Sequence, residues 1–163
     1  MSGNEIPQAF EKAKASLTLQ TNPLRRILVV EDEPDIRRLN AVALNRAGYH
    51  VDTAEDGLAG WKALHAVRHA PESYHLLITD HDMPGLTGLA LVKKLRAARM
   101  AMPVIMASGT SSTEDMFIRY PWLQPAAMLV KPYSMEQLLG TVEKCFAQLP
   151  VPATRLRRRQ TMF

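Results

Sequence analysis

One cysteine, no apolar run of membrane-spanning length and no internal repeat: this 163-residue chain is first read by what it has little of. The lone Cys145 excludes an internal disulfide and fits a reducing compartment. It falls in a helical pattern, where a buried, inert thiol is expected. No stretch approaches the roughly 18 consecutive apolar residues that a membrane span needs. The N-terminus, interrupted by Glu5 and Glu11, has no apolar core of signal-peptide length. A cytoplasmic location is the expectation that follows.

What is present is uneven. The net charge is +4, but Arg155, Arg157, Arg158 and Arg159 crowd the end of the chain, and without them the protein is near neutral. The basic balance therefore describes a tail, expected to be solvated, and not a nucleic-acid-binding surface. The tail lacks interleaved aromatics, and a DNA-binding fold would need dozens more residues. At the other end, Ile6, Phe10, Ala13 and Leu17 recur at helical spacing, so residues 1–23 predict an amphipathic helix and linker. Alone it would be marginal in water, so its apolar face needs a cover: its own domain, a second copy or a partner.

Between these ends, short apolar strands alternate with helical patterns. Strands are predicted at Arg26–Val30, Tyr49–Thr53, His75–Thr79, Pro103–Ala107 and Ala126–Val130. Helices follow them. The first is opened by Pro34, carries Ile36, Leu39, Ala43, Leu44 and Ala47 on one face, and ends at Gly48. The second starts at Asp56-Gly57, carries Leu58, Trp61 and Leu64, and runs to about Ala70. The third carries Leu89, Leu91, Val92 and Leu95, with Lys93, Lys94 and Arg96 outward. The fourth, Thr113 to Arg119, is short and cut off by Pro121. The last is capped by Ser134 with Gln137 at capping-box spacing. This alternation predicts an α/β fold: a doubly wound, five-stranded parallel sheet in the flavodoxin-like order 2-1-3-4-5, over residues 24–149, with a basic tail at 150–163.

In that order the strand ends converge. The first delivers Glu31 and Asp32, the third Asp80, the fourth Ser108 and the fifth Lys131. Such a rim is where open α/β sheets bind ligands. Crowded carboxylates repel unless a cation neutralises them. A hard divalent ion such as Mg2+, which takes one or two carboxylates and leaves places for phosphate, suits that need. A lysine and a hydroxyl opposite would hold phosphoryl oxygens. Asp80, the central acid and followed by a Pro84-Gly85 turn, is the best nucleophile candidate.

Val30-Glu31-Asp32-Glu33, Asp80-His81-Asp82-Met83-Pro84 with Gly88, Pro103-Val104-Ile105-Met106-Ala107-Ser108, and Lys131-Pro132 together resemble the receiver domain of two-component response regulators, over about residues 25–148. The resemblance implies that Asp80 takes a phosphoryl group from a histidine kinase or histidine phosphotransfer protein. It implies Mg2+ ligands at Asp32 and Asp80, with Glu31 assisting through water and the main-chain carbonyl of Asp82 as a further ligand. Ser108 would hydrogen-bond the phosphoryl group and Lys131 would pair with it. The chain would then be a stand-alone, phosphoaccepting switch acting on another protein, not a turnover enzyme. A homodimer stays open. The rival readings are a nucleic-acid-binding regulator working through the tail, a phosphorylation-independent interaction module, and a Mg2+-dependent phosphohydrolase.

Three departures from the family pattern stand out. Met128 occupies a position where such domains usually carry an aromatic, Gly109 replaces the usual Ala, and the fourth helix runs into Pro121-Trp122-Leu123-Gln124-Pro125. His81 is expected to face solvent from its loop, His75 to be structural, and Trp61 and Trp122 to be packing residues.

Overall fold

Apolar runs bounded by turn residues become buried parallel strands because neither face of such a strand can be left to water. In the computed structural model, which describes residues 25–109 and 114–149, these are β1 (Arg26–Val30), β2 (His50–Ala54), β3 (Leu76–Asp80), β4 (Val104–Ser108) and β5 (Ala127–Val130). They form one parallel sheet in the order β2-β1-β3-β4-β5. Every residue of β3 and β4 is buried, as expected of central strands. The predicted amphipathic helix at 1–23 and the basic tail at 150–163 lie outside the described residues.

Five α-helices are described: α1 (Pro34–Arg46), α2 (Gly57–Ala66), α3 (Gly88–Ala97), α4 (Glu114–Arg119) and α5 (Met135–Ala147), with a 3-10 turn at Pro121–Leu123. Strand alternation sorts the core into two layers. Ile27, Val29, Ile78 and Ile105 face Leu44 of α1 and Leu138, Val142 and Phe146 of α5. Leu28, Val30, Leu77 and Met106 face Leu64, Leu91, Leu95 and Phe117 on α2, α3 and α4. Side-chain caps supply orphan helix donors with acceptors. Asp56 accepts from Ala59 N at 2.7 Å, Thr87 from Ala90 N at 3.2 Å, and Ser134 forms the expected capping box with Gln137. Gly48 closes α1 with φ +93°, a conformation that costs glycine nothing.

The sheet end away from the strand termini that carry the acids is tied by polar contacts. Arg26 donates to Asp52 at 2.8 Å, and the Tyr74 hydroxyl donates to the same carboxylate at 2.9 Å. Burial and that carboxylate push the Tyr74 phenol up to about 12. His75 is structural, as expected: its Nδ1 accepts from Arg26 N–H at 3.0 Å, and burial together with the nearby Arg25 charge lowers its pKa.

Several details differ from the periodicity reading. Leu39 is 54% exposed, and the inner face of α1 centres on Asn40 and Leu44. Leu58 and Trp122 are likewise more than half exposed. The second helix stops at Ala66 and passes into a turn before Ala70. Arg96 is not fully outward, because its guanidinium folds back to donate to the carbonyls of Met100 and Met102, each at 2.9 Å. Cys145 is buried, as its helical setting implied.

The approach of α3 to β3 bears on the site. Gly88 N–H donates to His81 O at 3.1 Å, and a Cβ on Gly88 would strike the main-chain oxygen of Asp80. Backbone atoms cannot swing aside as a flexible side chain can. Gly88→Ala should therefore destabilise the protein by about 1–3 kcal/mol, the usual cost of overpacking. Urea unfolding at constant slope checks this; a stability unchanged within error would show that the contact relaxes freely.

Candidate functional site

Each strand that ends in the acidic rim brings one or two polar groups with it. Glu31 follows β1 and is 2% exposed, Asp80 is the last residue of β3 and is 4% exposed, and Asp32 stands at the surface beside them. One carboxylate oxygen from each of the three lies within 4.8 Å of the others. Lys131, immediately after β5, reaches between two of them: its Nζ is 3.1 Å from Glu31 Oε2 and 3.2 Å from Asp80 Oδ2. The other carboxylate oxygens are met by the main chain, Glu33 N–H donating to Glu31 at 3.2 Å and Asp82 N–H to Asp80 at 3.3 Å.

Ser108 ends β4, fully buried beside this group. Its carbonyl accepts from Lys131 N–H at 2.9 Å, so the chain that carries the ammonium is laced to the strand that carries the hydroxyl. The side chain of Asp82 points outward and is 62% exposed; what Asp82 brings to the cluster is its backbone. Glu31, Asp32, Asp80 and Lys131 are thus in one place, with Ser108 on the adjoining strand end.

Burial pushes the Glu31 carboxyl up; the Lys131 hydrogen bond pulls it back, the Asp80 charge pushes it up again, and the net shift is upward. For Lys131 burial works downward, but its contacts with Glu31 and Asp80 outweigh it and the ammonium is held charged. One ammonium against three carboxylates leaves the rim electronegative. The donors are all oxygen and mutually close, which fits a hard divalent cation and fits neither a thiolate nor an imidazole metal site.

Three features were not anticipated from the sequence. His81 does not face solvent: its side chain is 19% exposed, and its Nδ1 is buried with no hydrogen-bond partner. The backbone of His81 is held as well, its N–H donating to Ala107 O at 2.8 Å and its C=O accepting from Gly88 N at 3.1 Å. Asn40 and Tyr133 join α1 to the loop after β5, Asn40 Nδ2 donating to the phenol oxygen at 2.9 Å. Arg37, in the first turns of α1, donates through Nη1 to the carbonyl oxygens of Glu31 at 2.7 Å and Asp32 at 3.3 Å. The sequence signal for Arg37 was faint: an arginine a few residues past a run of acids, with nothing in its spacing to say that it turns back.

Comparison with known proteins agrees with this geometry. Residues 27–143 match the response regulator receiver domain family. The chain is 33% identical over 130 residues to the transcriptional regulatory protein TcrA of Mycobacterium tuberculosis, covering 78% of this chain and 48% of TcrA. It is 32% identical over 130 residues to the response regulator ArlR of Staphylococcus aureus, covering 78% of this chain and 55% of ArlR. The chain therefore spans about half the length of these curated relatives. Among solved structures it resembles the response regulator TrrA of Thermotoga maritima in complex with Mg2+ and BeF, with TM-score 0.64 and 31% identity over 74% of this chain and 98% of that one. It also resembles a CheY-like receiver domain protein from Methanospirillum hungatei, with TM-score 0.66 and 28% identity over 77% of this chain and 97% of that one. No helix among the described residues is long and apolar enough to cross a membrane. The order of the strands, the acidic rim with its lysine, and the match over residues 27–143 agree: the chain belongs to the response regulator receiver family, whose members are phosphoaccepting signalling modules and not turnover enzymes.

Proposed function

We propose that Asp80 is the phosphoacceptor of this receiver, that a histidine kinase or histidine phosphotransfer protein is the donor, and that Mg2+ assists. The observation that carries the proposal is the convergence of Glu31, Asp32 and Asp80 around the Lys131 ammonium at the strand ends. Asp32 and Asp80 would hold the metal through their side chains, Glu31 would assist through water, and the Asp82 carbonyl would be a further ligand. Bound there, Mg2+ would offset the charge of the acid cluster and of the phosphoryl oxygens.

In the proposed transfer, a carboxylate oxygen of Asp80 forms a bond to phosphorus while the phosphorus–nitrogen bond of the donor phosphohistidine breaks, its electron pair returning to the imidazole. The protein mainly positions and stabilises charge, as is usual for phosphoryl transfer. Asp80 is preset by Asp82 N–H and by Lys131. Lys131 would move its hydrogen bonding from carboxylate to a phosphoryl oxygen, and the Ser108 hydroxyl would bond another. We assign the receiver to residues 24–149, with residues 1–23 and 150–163 as appendages, and its output to contact with another protein. In support, Ile118 and Trp122, near one another in the chain, are 78% and 55% exposed, and a groove of about 600 Å³ runs beside them between Phe117, Pro121 and Met128.

Three outcomes test the reading. Asp80→Asn should remove base-labile phosphoryl incorporation from a kinase or small phosphodonor, and mass spectrometry after reductive trapping of the wild type should place the modification on Asp80. Labelling of Asp82 or His81 would overturn the assignment. Asp32→Ala should weaken Mg2+ binding by at least about tenfold without lowering the thermal midpoint, because removing one of three crowded carboxylates relieves repulsion. Undiminished Mg2+ affinity would mean the ligands are elsewhere. Beryllofluoride with Mg2+ should perturb the amide spectrum of residues 108–125, a response that Ser108→Ala loses and Met128→Ala largely keeps. If Met128→Ala silences it equally, the methionine is doing the work of the usual aromatic.

A further inference from the structure

Of the three carboxylates, Asp32 is the one whose direction no side-chain contact among the described residues sets. Glu31 is held by Glu33 N–H and Lys131, and Asp80 by Asp82 N–H and Lys131. Among the described residues the Asp32 carboxylate has no hydrogen-bond or ion-pair partner. What is held is its backbone. Arg37 Nη1 donates to the carbonyl of Glu31 at 2.7 Å and to that of Asp32 at 3.3 Å. These two oxygens belong to the peptide planes on either side of the Asp32 Cα. Because a peptide unit is planar and its only soft torsions are at Cα, fixing both planes fixes φ and ψ of Asp32 and with them the direction of its Cβ. Arg37 makes no ion pair among the described residues, although Glu31, Asp32, Glu33 and Asp35 all lie within six positions of it in the sequence. Its guanidinium is used on carbonyl oxygens and not on carboxylates.

We infer that Arg37 is a positioning residue for cation binding: by clamping the peptide planes that flank Asp32 it aims that carboxylate at Asp80 and so sets the Mg2+ affinity of the site. The inference rests on the proposal that Asp32 and Asp80 hold the ion. It carries a sign that separates it from the plain electrostatic alternative. Arg37 is itself a cation near the site, so if charge alone mattered, removing it would tighten Mg2+ binding, most of all at low ionic strength. If positioning matters, removing it loosens binding although a repelling charge has gone.

The test is a Mg2+ titration of the full chain, followed by amide chemical shifts, for the wild type, Arg37→Gln, Arg37→Lys and Arg38→Gln. Arg38 is the exposed neighbour, makes no hydrogen bond to the loop among the described residues, and its substitution removes the same charge. Arg37→Gln should weaken Mg2+ about tenfold, the scale on which residues that orient metal ligands act. Arg37→Lys should fall between, since lysine keeps the charge but loses the planar fork, and it decides the matter if the glutamine variant does not fold. Arg38→Gln should leave affinity unchanged or slightly tighter. The amides of Asp32 and Glu33 should shift in the metal-free Arg37 variants and not in Arg38→Gln. Binding by Arg37→Gln as tight as wild type, or tighter, overturns the inference, as does an equal loss in Arg38→Gln. A wild type that binds no Mg2+ would instead sink the metal reading, and this inference with it.

Discussion

Like charges forced together at the end of a sheet are the constraint on which the rest of this molecule turns. Glu31 and Asp80 are almost wholly removed from water, and a buried carboxylate is costly unless paired. Lys131 meets both at once, at 3.1 and 3.2 Å. It lies 100 residues from Glu31 in the chain, so no local structure can place it; the sheet does. The strand order sets β1, β3, β4 and β5 side by side, and the ladder hydrogen bonds hold their ends level. The apolar core is therefore the frame that makes an otherwise repulsive arrangement of side chains persist.

The compensation is partial. One ammonium cannot neutralise three carboxylates, and the upward shift of Glu31, through burial and the nearness of Asp80, is the residue of that imbalance. A site left short of positive charge is suited to receiving it from outside. At the far end of the sheet the situation is reversed. There Asp52 is met by both Arg26 and Tyr74, and burial, which would raise its pKa, is outweighed by those two bonds, so the carboxylate is held below its ordinary range. One end of the sheet is closed electrostatically and the other left open.

How much of this was legible depended on how local the cause was. The strands could be read because a central parallel strand is buried on both faces and so appears as an unbroken apolar run, as with Leu76-Leu77-Ile78. The site could be read because each run stopped at a polar residue, and the fold order then put those residues together. What failed depended on contacts between distant elements. Leu39 and Leu58 sit at apolar-looking helical positions, but the faces that pack are set by Asn40 and Leu44 in α1 and by Gly57, Gly60 and Leu64 in α2, where small residues let the helix approach the sheet. The backbone of His81 is held by partners distant in the chain or across a turn, Ala107 and Gly88, and Arg37 reaches carbonyl oxygens that no residue pattern displays.

The two rims of the sheet are also unlike. Unpaired strand edges are templates for joining another chain edge to edge, and proteins blunt them with charge, brevity or proline. Along β2 the outer rim carries His50 and Asp52, an inhospitable edge for a second strand. Along β5 there is no charge at all, only Ala127-Met128-Leu129-Val130, with Val130 73% exposed. What limits that rim is its length: four residues, with Pro125 two positions before the strand and Lys131-Pro132 directly after it. One border of the sheet is thus marked by polar side chains and the other by its short length.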